Sequence, residues 1–135
     1  MIDKVIFDAA TEAAGGLMEY GADDCCQWVR GLVLKSYGID IMAGVAPYAS
    51  QEEAAAVFNE HGGLVEAVIV LARAAGLEKA SKPYPDDCVG LVLGQFGPTL
   101  AVRYNGWWVA RADIGVAMLA DKSVIMAWGL KCRQP

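Results

Sequence analysis

The hydrophobic period of this chain changes once, and the change falls across Glu78–Asp87. Ahead of that stretch apolar residues recur at helical spacing, and behind it they alternate as strands do. Pro83 and Pro85 mark the stretch itself as a connector. A helical first part followed by a strand-rich second part reads as α+β. The expected architecture is a helical N-terminal half packed on a C-terminal antiparallel β-meander. A length of 135 residues predicts one domain, 1–135.

Local signals place the elements. Ile2, Val5, Ile6 and Ala9 lie at helical spacing, and Gly15-Gly16 closes that helix. A second helix opens near Asp23-Asp24, whose carboxylates suit a helix N-terminus. Its stripe is Cys25, Trp28, Val29, Leu32 and Val33, with Gly38 as the stop. Ser50 with Glu53 forms a capping box before Ala54, Val57 and Phe58. The turn His61-Gly62-Gly63 ends that third helix. A fourth, Leu64 to about Ala75, is almost wholly apolar and therefore expected to be buried, and Gly76 ends it. Strands are predicted at Cys88–Leu93, Thr99–Tyr104, Trp107–Arg111 and Ser123–Trp128, with Asn105-Gly106 as a hairpin turn.

Composition removes several function classes. The chain is 56% hydrophobic, which excludes intrinsic disorder. Eleven Lys plus Arg face 16 Asp plus Glu, a net charge of −5, and no basic run exists to neutralise phosphates. Nucleic acid is therefore not an expected partner. The most apolar stretches, Leu64–Ala72 and Val124–Trp128, fall far short of the ~20 residues a membrane span needs. Asp3, Asp8 and Glu12 break up any leader-like N-terminus, so a soluble protein made inside the cell is expected.

Five candidate sites stand out, each weighed against a bland reading. Cys25 at a helix start gains thiolate character from unpaired backbone N–H groups, as nucleophiles do. Read locally, Cys25 and Cys26 are also simply small hydrophobes. His61 is the lone histidine, so any Cys–His chemistry must recruit it, although a loop histidine is ordinarily solvated. Cys25, Cys26, Cys88 and Cys132 show no C-x₂-C knuckle, so neither metal nor cofactor is expected. A cluster held by scattered cysteines is the weaker alternative. Asp23-Asp24 and Asp86-Asp87 read as solvated turn acids. Trp107-Trp108 must split across a strand, one indole to the core and one away from it, as an edge cover or an interaction anchor.

The order of these motifs resembles a family of small tailed-phage proteins with the NlpC-type, papain-like cysteine peptidase fold. The resemblance runs through Gly21-x-x-Asp24-Cys25-x-x-Trp28, Gly38-Ile39-Asp40, Tyr48-x-Ser50, His61-Gly62-Gly63-Leu64, Pro85-Asp86-Asp87-Cys88-Val89 and Ala127-Trp128. In the active enzymes the nucleophile stands in Asp-Cys-Ser-Gly, so the resemblance places Asp24-Cys25 there, with Cys26 where serine is usual. The catalytic histidine position falls near Thr99, and the residue that orients it near Ala110 or Arg111. Neither alanine nor arginine can accept a proton from an imidazole.

The resemblance therefore implies a non-catalytic structural or assembly component of a phage tail tip. Its partners would be other tail proteins, hub or tip, with self-association as a further state. It would reside in the virion after synthesis in the host cytoplasm. The runner-up is a cysteine hydrolase of peptidoglycan peptides, with Cys25 as nucleophile and His61 as an unusual base.

Overall fold

A computed structural model describes residues 2–130. The helices are α1 (Ile2–Ala13), α2 (Cys25–Tyr37), α3 (Gln51–Asn59) and α4 (Leu64–Ala74). The strands are β1 (Glu78–Ala80), β2 (Cys88–Gly94), β3 (Gly97–Tyr104), β4 (Trp107–Arg111), β5 (Val116–Leu119) and β6 (Val124–Gly129). A 3-10 turn, Asp121–Ser123, leads into β6. Four helices and one six-stranded antiparallel sheet make the fold α+β, as the change of period implied.

Local chemistry fixes most boundaries. Gly38 closes α2 at φ 69°, its N–H donating to the Leu34 carbonyl at 2.9 Å. Ser50 Oγ accepts from the Glu53 N–H at 3.1 Å, while Glu53 reaches back to the Ala49 N–H. Asn105 (φ 50°) and Gly106 (φ 83°) turn β3 into β4 with both residues left-handed, as a tight hairpin requires.

Three expectations need correction. First, the last strand does not extend the meander. The sheet order is β1-β6-β2-β3-β4-β5, so β2 to β5 run in sequence and β6 crosses back to lie between β2 and β1. A central position suits β6 because Ala127 and Trp128 are both buried, on opposite faces. Second, the connector contains β1, three residues too short to show a period, and β5 follows β4 unforeseen. Third, α4 is not wholly buried. Ala67, Val68 and Ala72 are inside, but Val70 is 48% exposed, because only one side of α4 has a layer to pack on.

Side chains alternate across the sheet and build two cores. Val89, Leu91, Leu100, Val102, Val109 and Trp128 meet Val29, Leu32 and Val33 of α2 on one face. On the other, Cys88, Val92, Ala101, Ala110 and Ala127 surround Trp108, which is fully buried. The indole lies so close to β2 that a Cβ on Gly90 would stand 2.7 Å from Trp108 Cζ3. Tyr84 meets the ring edge-on at 5.5 Å. The Trp108 indole N–H donates to Asp121 at 2.8 Å. Arg103 bridges Asp121 and Asp86, tying the 3-10 turn to the loop before β2. The expected split of Trp107-Trp108 holds: Trp107 is 46% exposed at the hairpin.

Candidate functional site

Asp24 organises the start of α2. It is 2% exposed and takes the N-cap position with extended backbone. Its carboxylate accepts four hydrogen bonds, from the N–H groups of Cys26 (3.1 Å), Gln27 (3.2 Å) and Gly21 (2.8 Å) and from the Tyr48 hydroxyl (2.9 Å). Four donors and the positive end of the helix offset the cost of burying a charge. Burial, with Asp24 beside it, pushes the Tyr48 phenol well above its ordinary range, so it stays a donor. Gly21 has φ 85°, and a Cβ there would stand 2.0 Å from the Tyr48 carbonyl oxygen. Spacing in Gly21-x-x-Asp24 and the distant Tyr48-x-Ser50 are thus parts of one device.

That device aims Cys25 at β3. The β3–β4 pairing runs from Val102 to Tyr104, and beyond it Thr99 and Leu100 face the start of α2. Cys25 and Cys26 Sγ lie 3.9 Å apart. The Cys26 thiol donating to Cys25 lowers the Cys25 pKa most, burial opposes this, and the Thr99 hydroxyl and Leu100 N–H lower it further, to about 6. The same hydrogen bond, together with burial, pushes Cys26 well above the thiol range. Cys26 is 2% exposed and Cys25 only partly buried, so Cys25 is the sulfur better placed to carry the charge.

The structure does not bring His61 to this thiolate. His61 is exposed on the α3–α4 turn, and among the described residues its side chain forms no hydrogen bond or ion pair. The group beside Cys25 is the Thr99 hydroxyl, at the position the resemblance assigns to the catalytic histidine. A hydroxyl neither takes up nor returns a proton near neutral pH. The site can hold a nucleophilic sulfur, and among the described residues no imidazole or carboxylate hydrogen-bonds it.

Neither position proposed for the orienting residue offers an imidazole a proton acceptor. Ala110 lies in the Trp108 core. Arg111, with a side chain 1% exposed, binds Asp23 at 3.1 Å and the carbonyls of Gly16, Ala112 and Gly115. It pins the α1–α2 loop beside Asp24. Sequence reasoning missed this clamp, although an arginine closing an apolar strand was its one visible signal. The solvated-acid reading is corrected for Asp24, while Asp23 and Asp86 stay 40% and 42% exposed beside their arginines. Asp24 is a buried cap, Asp23 holds Arg111, Asp86 holds Arg103, and Asp87 accepts from the Tyr37 hydroxyl.

Asp24, Cys25 and Cys26 bring ligand atoms within 4.8 Å of one another. Both Asp24 oxygens already accept hydrogen bonds, leaving two sulfurs where a structural zinc takes four ligands. Cys88 is buried on the opposite face of the sheet, and Cys132 lies outside the described residues. No single described helix is long and apolar enough to cross a membrane.

This architecture defines an α+β domain with a capped thiol at the mouth of its second helix. Residues 3–130 match the family described as Domain of unknown function (DUF6950), and the chain belongs to that family. No curated protein matches the chain.

Proposed function

We propose that the chain is a non-catalytic structural or assembly component of a phage tail tip, an NlpC-type, papain-like domain kept for its shape, which binds other tail proteins. The supporting observation is the partner of Cys25, a threonine hydroxyl in place of an imidazole. Such a site keeps the scaffold of a nucleophile while lacking the group that protonates a leaving amine. The motif order from Gly21 to Trp128 carries the phage placement. Exposed Phe96, in the β2–β3 turn, and Trp107, the first residue of β4, offer apolar surface for partners, and Trp108 serves the core.

Mass spectrometry of purified virions tests this reading. The chain is expected at a fixed ratio to other tail proteins, and Trp107→Ala is expected to reduce its incorporation. Absence from virions overturns the proposal.

The depressed Cys25 pKa favours one second reading, a hydrolase of cell-wall peptides. Turnover of such fragments, abolished by Cys25→Ala, would establish it. Undiminished turnover in Cys25→Ala ends it.

A further inference from the structure

A groove between α4 and the β1–β6 end of the sheet takes no part in the thiol site. Ile69 and Arg73 of α4 form one wall and Lys79 of β1 the other, over a floor of Leu77, Met126 and Trp128. Its volume is about 230 Å³, roughly that of seven or eight waters at ~30 Å³ each. That accommodates one large apolar side chain with a polar group at its end.

Three features specify what belongs there. Lys79 is the register partner of Trp128, so both project from the same face of the sheet into the groove. Arg73 and Lys79 have no ion-pair or hydrogen-bond partner among the described residues, whereas Arg30, Arg103 and Arg111 each hold a carboxylate. Two unpaired cations facing one apolar slot, on a chain of net charge −5, make a local site for an anion bearing an apolar group. The third feature is backbone. β1 pairs with β6 only from Ala127 to Gly129, so among the described residues no strand pairs with Val124–Met126 on that side. An extended chain can add to such an edge while its side chains enter neighbouring pockets.

We propose that this groove binds the C-terminal end of a partner polypeptide. The terminal carboxylate sits between Arg73 and Lys79, the last apolar side chain lies over Trp128 and Met126, and the backbone follows the open edge of β6. The inference rests on the assembly reading and names the chemistry of one partner.

Selection from a random heptapeptide library with free C-termini, using the full chain, tests it. Enriched sequences are expected to end in a bulky apolar residue with Asp or Glu close by. Affinity for a selected peptide is expected to fall about tenfold on amidating its C-terminus, and at least as much in the Arg73→Glu, Lys79→Glu double variant. Both positions are exposed, so an unchanged melting curve separates lost binding from lost folding. Amide and indole shifts on titration should centre on Lys79, Met126 and Trp128.

Enrichment equal to that of the double variant, or shifts centred elsewhere, overturns the proposal. So does binding of octanoate or of phosphatidylglycerol vesicles without peptide selection, which would assign the groove to a small acid or a membrane. Failed selection with the chain present in virions removes the groove and spares the assembly reading. Successful selection with the chain absent from virions does the reverse.

Discussion

On the helix-facing side of the sheet, Val89, Leu91, Leu100 and Val102 meet a broad apolar layer drawn from α2, α3 and α4. On the opposite side one indole, Trp108, fills the core, and Tyr84 and the 3-10 turn close over it. The broad face spreads its stabilisation over many contacts and can accommodate a buried charge, Asp24. The narrow face concentrates it in one side chain and holds its cover with surface ion pairs. Polar groups therefore build a site on one side and latch a lid on the other.

Trp108→Ala is the sharpest way to break that comparison. It is expected to cost about 3–5 kcal/mol by chemical denaturation, because no neighbour on the thin face can collapse into the space. If it costs less than losing Asp24, the narrow face does not depend on one side chain. Asp24→Ala should cost about 2–4 kcal/mol, by removing the α2 cap and the acceptor of the buried Tyr48 hydroxyl. Asp24→Asn, which keeps acceptor and shape, should recover part of that loss. Asp121→Ala is expected at about 1 kcal/mol, since it loses the indole hydrogen bond but its partner Arg103 retains Asp86.

The thiols give a pH test of the broad face. Folding depresses the Cys25 pKa from 9.0 to about 6. Between those values the unfolded chain binds the extra proton, so this group's contribution is present above pH 9 and lost as pH falls through 6. Cys26 shifts upward, so above pH 9 the unfolded chain gives up that proton first and this group lowers stability as pH rises. Site-resolved alkylation should show Cys25 reacting from about pH 6 upward, and Cys26→Ala should move that onset to higher pH by removing its main donor. An onset near 9.0, the unshifted thiol value, would show that the donors do not act on it. The smallest effect belongs to Trp107→Ala, within about 0.5 kcal/mol for folding, because its indole is half exposed.

The legible parts of the fold were those that one short segment decides. Ser50 with Glu53, Gly38, and Asn105-Gly106 each act within a few residues, so their caps and turns could be read directly. Cys25 could be placed at a helix start for the same reason. β1 and β5 were not legible, because strands of three and four residues show no dependable period. The place of β6 between β2 and β1 depends on which faces need covering, a property of the assembled sheet.

The sequence by itself determined the order of helices before strands, the caps and hairpin, and the presence of a thiol with an acidic neighbour at the mouth of α2. Those follow from dihedral preferences and hydrophobic spacing, which act locally. Only the tertiary structure decided that Asp24 is buried under Tyr48, that Thr99 and not His61 meets Cys25, and that Arg111 clamps the loop beside them. These contacts join residues 24 to 95 positions apart, or bring a side chain from β3 to a helix start. Their geometry is set by how the layers close on one another, and no local pattern encodes that closure.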